Sequence, residues 1–194
     1  MANSNTAFGL RPVGTIGSAG YVGRVQVFQA LAADTQAIGL GDPVVLTGTG
    51  STEGVPDVTR LTTAGTTAIV GVMVGVVPNP SDLTLGYRKA STLMQVLVDT
   101  DPNTIYEVQD SSTSKTTAAA ATDIGTNVTL AMGTVNTTTG VGATILDMTT
   151  AATTATLNVK LLRLSPKIDN AIGSYAKWLV TLNNRSQIAG VAGV

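Results

Sequence analysis

Two carboxylates, Asp99 and Asp101, stand two residues apart, and Glu107 and Asp110 follow within nine residues. Clustered carboxylates of this kind can hold Ca²⁺ or divide the work of an acid and a base. The spacing is not that of an EF-hand loop, and Asp101 is followed by Pro102, so Asp-x-Asp-Pro reads first as a turn. Gly48, Gly50 and Gly54 bracket a Ser/Thr-rich stretch like a phosphate-binding loop, but it lacks the Gly-Lys-Ser/Thr ending and a following helix. A flexible hairpin loop is the stronger reading. Tyr175 and Lys177 lie close enough to serve an oxidoreductase, yet the βαβ framework that such a pair needs is absent. The chain has neither His nor Cys, which removes Ser-His-Asp triads, thiolate nucleophiles and Cys/His metal sites. No catalytic residue, metal ligand or cofactor site is therefore expected.

Cations give a second pattern. Lys160, Arg163, Lys167, Lys177 and Arg185 face one acid, Asp169, over 26 residues. They form either a solvated strand face or a patch turned to an acidic protein surface. Nucleic acid ranks third, because no aromatic side chains interleave with the bases. The whole chain of 194 residues carries a net charge of −1, which argues against a nucleic-acid footprint.

The elements that position these residues follow from composition. Thr (32), Val (23) and Ile (9) make up a third of the chain, and β-branched side chains suit a pleated sheet better than a helix. Charged residues are 12%, well under an average domain, and aromatics only 4%. The pattern predicts an all-β chain with an aliphatic core, and so few charges suggest that part of its surface meets other protein. The longest apolar run, Ala68 to Val77, is too short to span a membrane, which takes ~20 residues, and residues 1–20 lack the charged and apolar regions of a signal peptide.

Residues 1–20 read as an extended arm, since Gly9, Gly14, Gly17, Gly20 and Pro12 deny it a helix. Phe8 and Leu10 must then dock on the chain's own body or on a neighbour. Strands are expected over Tyr21–Ala30, Val44–Leu46, Val58–Leu61, Leu93–Val98, Thr104–Gln109, Val128–Met132, Ala143–Leu146, Leu157–Leu164 and Ala176–Asn183. Thr67–Val77 is the strongest, buried on both sides, with Gly71 and Gly75 marking bends or a close backbone approach. Leu93–Val98 and Thr104–Gln109 look like a hairpin. Trp178 and Tyr175 read as core or subunit-interface packing. The expected architecture is a single antiparallel β-barrel or sandwich body over 21–185, with the arm before it and an apolar tail, 186–194, after it.

Several segments resemble a known family. Met1 to Val13, with Phe8-Gly9-Leu10-Arg11-Pro12 at its heart, is similar to the start of the head decoration, or cement, proteins of tailed phages and prophages. The likeness continues from Val98 through Pro102, Ile105 to Gln109, Asp123 to Asn127, the Gly/Thr loop up to Asp147, Leu161 to Leu164, and Tyr175 to Val180. The order is that of the family and covers most of the chain. The long apolar tail after Arg185 and the Thr richness depart from it. The resemblance implies a non-enzymatic, β-rich protein that binds the outside of the capsid in many copies and assembles in the cytoplasm of an infected bacterium. Its partners would be the major capsid protein and itself, as a trimer or, second, a dimer, with neither nucleic acid nor membrane. Candidate contact residues are Phe8, Leu10, Arg11, Pro12, Tyr175, Trp178, Ile188 and Val191. The competing readings are another virion or surface module, such as a tail component or adhesin domain, and an enzyme or small-ligand binder.

Overall fold

The computed structural model describes residues 3–17, 20–63, 65–111 and 120–187. It is all-β. Among the described residues eleven strands run in the order β1 (Arg11–Thr15), β2 (Val25–Ala30), β3 (Pro43–Gly50), β4 (Pro56–Arg60), β5 (Gly71–Val76), β6 (Met94–Asp99), β7 (Thr104–Gln109), β8 (Asn127–Ala131), β9 (Ile145–Ala152), β10 (Val159–Leu164) and β11 (Lys177–Leu182). One 3₁₀ turn, Ala121–Asp123, precedes β8, and Gly125 follows it at φ +88°.

The strands form two sheets rather than one. One is six-stranded, in the order β1-β7-β11-β10-β8-β9. The other, β2-β4-β3-β5-β6, closes on itself as a small barrel. Its seam is narrow. β2 pairs with β6 along its whole length but meets β4 through one parallel pair, Gln29 with Asp57.

Two apolar cores follow from this division. Phe28, Ala30, Ile38, Val44, Val58, Val70, Met73, Val96 and Val98 fill the barrel. A larger core lies between barrel and sheet, where Leu61, Ile69 and Val72 meet Tyr106, Val108, Leu130, Trp178 and Val180. The expected central strand thus has both faces buried at Ile69 to Met73. Val70, Val72, Val74 and Val76 alternate in the sequence, yet Val70 and Val76 join the barrel core and Val72 the larger one. A register shift between Met73 and Gly75 turns Val76 to the barrel side, which is what a bulge does to the side chains beyond it. Gly71 answers to the close approach: a Cβ there would stand 2.7 Å from Val98 Cγ1 and closer still to the Asp99 carbonyl.

Two expectations are corrected. β6 and β7 are not a hairpin. β6 belongs to the barrel and β7 to the six-stranded sheet, so Thr100 to Asn103 is a crossing between sheets. The arm is not a separate extension either. Residues 11–15 form β1, which pairs antiparallel with β7 as an edge strand, Arg11 opposite Glu107 and Thr15 opposite Thr104. The fold-back reading of the arm is the one this structure takes. The tail beyond Gln187 lies outside the described residues.

Candidate functional site

The carboxylates named from the sequence separate into different environments. Asp99 and Asp101 are both buried and build the crossing from β6 to β7. Asp99 Oδ1 accepts the Asp101 N–H at 3.0 Å, Asp101 Oδ1 accepts the Asn103 N–H at 2.8 Å, and Asp99 Oδ2 accepts the Tyr106 hydroxyl at 3.1 Å. The buried Arg185 guanidinium donates to the Thr100 carbonyl beside them. Burial, then the Asp99 charge and hydrogen bond, and then Asp101 push the Tyr21 hydroxyl up to about 12. These contacts are those of a locked turn. Asp110 is also buried, with its N–H on the Ala176 carbonyl.

Glu107 points to the other face of the sheet. Its side chain is almost fully buried, yet it receives Arg11, Lys167 Nζ at 2.9 Å and Ser165 Oγ at 2.6 Å. Burial alone would raise its carboxyl. The hydrogen bonds from Ser165, Lys167 and Arg11, with the Arg11 charge, outweigh that and hold it below the usual carboxylate range. Among the described residues, no group of three or more His, Cys, Asp or Glu could hold a metal ion. No helix among them is long and apolar enough to cross a membrane. The Gly48 to Gly54 stretch is the β3–β4 turn, in which Ser51 Oγ accepts the N–H groups of Glu53 and Val55 at 3.2 Å each.

The feature best suited to contact lies along the N-terminal segment. Ahead of β1 the chain is pinned at several points. Asn3 Nδ2 donates to the Ala171 and Ser174 carbonyls at 2.9 Å each, the Thr6 N–H donates to Gln109 Oε1 at 2.7 Å, and the Leu10 N–H donates to the Gly41 carbonyl at 2.8 Å. Gly9 sits at φ +72°, and a Cβ there would meet the Gly41 oxygen at 2.7 Å. Only glycine lets the two backbones come so close. Beside them opens a mostly apolar groove of about 440 Å³, lined by Phe8, Arg11, Pro12, Tyr21, Met73 and Val74 among others. The Arg11 guanidinium lies 4.9 Å from the centre of the Phe8 ring.

An exposed apolar stripe continues from the groove. Val13, Ile16, Tyr21, Val22, Val25 and Val27 all face solvent, Val22 most of all at 61%. Ile16 and Arg24 bond through their backbones to Asn103 and Thr100, and Val25 pairs with Asp99, so this run wraps around the inter-sheet crossing.

The eight residues expected to make contacts divide. Phe8, Arg11 and Pro12 line the groove and retain exposed surface. Leu10, just ahead of β1, and Trp178, on β11, are fully buried in the larger core that also holds Val108 and Val180. They belong to the chain's own packing. Tyr175 is half-buried in the turn before β11 at φ +61°. Ile188 and Val191 lie outside the described residues. The sequence reading missed Tyr21, Val22 and Val74. Val25 and Val27 alternate in the sequence as one face of a strand, but periodicity does not say whether a face is inside or out. No family model, curated protein or solved structure matches this chain.

Proposed function

We propose that this chain is a structural virion protein that binds the outer surface of a tailed-phage capsid and stabilises the shell. The observation that carries the reading is the apolar stripe from Val13 to Val27 beside the Phe8 groove. Exposed apolar side chains gathered along one segment mark protein contact sites. Its place at the N-terminal segment agrees with the likeness to decoration proteins, which is strongest at Phe8 to Pro12. Few charges and a β-rich body fit a protein that works by contact. A weak patch contact becomes firm when several copies engage a lattice together, so the protein acts as a homo-oligomer, a trimer first and a dimer second. Assembly takes place in the cytoplasm of the infected bacterium, and the final location is the capsid exterior. Microscopy of negatively stained virions, with an antibody to this chain, tests the reading. Label over the heads is expected. Label on tails, or none, overturns it.

A further inference from the structure

We propose that the outward face of β10 and β11 docks against a carboxylate-rich protein surface, which on the capsid reading above is that of the shell. Five cations were grouped from the sequence, and the structure sorts them. Arg185 is buried near Asp99 and Asp101, and Lys167 is tied to Glu107. Lys160, Arg163 and Lys177 remain, and among the described residues none of them has a carboxylate within ion-pair distance.

The three share one face by construction. In a regular strand Lys160 and Arg163, three residues apart, would point to opposite sides. The register shifts between Leu161 and Arg163, so Lys160 lies opposite Thr181 and Arg163 opposite Leu179. Val159, Leu161 and Leu164 turn to the core, while Lys160 and Arg163 are both exposed. Re-aiming a side chain is a known use of a bulge. Lys177 stands two residues before Leu179 on β11, on the same side, and Arg11 reaches that side through Glu107, which pairs with Leu179. The basic strip therefore runs toward the arm.

Complementarity gives the partner its sign. Residues 20–103 hold four bases against seven acids, in a chain whose net charge is only −1. Apart from Lys89 and the buried Arg185, the described cations without an ion-pair partner are thus gathered on the sheet, and an acidic surface is the natural counterpart. The partner is protein rather than nucleic acid for two reasons. No aromatic ring stands among the cations of β10 and β11 themselves, since Trp178 and Tyr106 are buried. The neighbouring loop instead presents Ile168, fully exposed, and Ile172, half-exposed, which suit an apolar recess.

The test uses full-length protein and DNA-free shells that lack it, in a co-sedimentation assay across a salt series. Wild type should bind, and more weakly as salt rises. The triple variant Lys160→Glu/Arg163→Glu/Lys177→Glu should bind about tenfold or more weakly with an unchanged melting temperature. Lys160→Gln/Lys177→Gln should fall between, and it decides the matter if the triple variant misfolds. Variants that bind with wild-type affinity and salt dependence overturn the proposal. If wild type itself ignores the shells, the capsid reading fails, and immobilised polyglutamate and duplex DNA become the probes. Retention on polyglutamate that the variants lose then supports the docking face. Retention on duplex DNA alone, or on neither, overturns it.

Discussion

Glu107 concentrates more interaction than any other acid on the sheet face, and its loss should be measurable. It receives Arg11, Lys167 and Ser165 while almost fully buried. Hydrogen bonds to charged groups contribute ~1.5–3 kcal/mol each at most, and the exposed arms of Arg11 and Lys167 can rehydrate, so Glu107→Gln should cost about 1–3 kcal/mol. Denaturant titration reads that difference. Its pH dependence has a definite sign. The folded carboxyl lies below its ordinary range, so its stabilisation is complete above that range and is lost as pH falls through the lowered folded value. Wild type should therefore lose its margin over the Gln variant in acid, and a margin constant down to acid pH would refute the ion-pair account. Gly71 and Gly75 make a second comparison. A Cβ at Gly71 collides with backbone and with Val98, whereas one at Gly75 meets Leu97 at 3.4 Å, an ordinary contact. Gly71→Ala should cost about 3 kcal/mol or more and Gly75→Ala well under 1 kcal/mol, read as melting temperatures on the same instrument.

The arm is the element whose role the structure changes most. Its strand pairs with β7, and Leu10 is fully buried in the core shared by both sheets. Leu10→Ala should therefore cost about 2–5 kcal/mol, and deletion of residues 1–12 should lower the melting temperature markedly. A truncated protein that melts like the full chain would return the arm to a purely external role. Val72→Asp tests the central strand in the same way. An unpaired charge at that fully buried position should abolish soluble folding, and normal yield would refute the placement. These elements were legible in the sequence to different degrees. Ala176, Trp178, Val180 and Leu182 alternate in the sequence and are all buried in the larger core, because β11 is an interior strand with one apolar face. Glycine at 71 was readable as a close approach because Val and Ile surround it. The partner of β7 was not readable. Two strands joined by a short turn usually pair, and contacts that no local pattern announces, Tyr106 to Asp99, Arg185 to Thr100 and Ile16 to Asn103 among them, hold this turn open as a crossing. The contact surface was half legible for a similar reason. Phe8 and Leu10 look alike in a short arm and both border the groove, but Phe8 keeps exposed surface while Leu10 is fully buried in the core, and sequence periodicity is too short there to tell them apart.

At the scale of the whole molecule, barrel and sheet are held as one body by shared walls. Leu61, Ile69 and Val72 belong to the barrel segment of the chain, yet they pack into the core whose other wall is β7, β10 and β11. Buried polar contacts add to this. Asp42, before β3, accepts Thr144 Oγ1 at 2.7 Å from the far side and pairs with Arg60 Nε at 2.8 Å. Ile69 and Arg185 bridge the two segments through their backbones. Separating the parts would expose apolar side chains worth ~1.5–3 kcal/mol each and would strip buried Asp42 and Arg185 of the hydrogen bonds they make to Thr144 and Thr100. Residues 20–103 alone should accordingly fail to fold. The intact chain should unfold in one cooperative step, and it carries a convenient reporter: its one Trp, Trp178, is fully buried on the sheet side. Trp178 emission follows the sheet, while far-UV circular dichroism follows the strands of both parts. In a urea titration the two signals should give the same midpoint and the same slope. A dichroism change in two steps, with Trp178 following only one of them, would show that barrel and sheet unfold separately and that the shared core couples them too weakly to act as one.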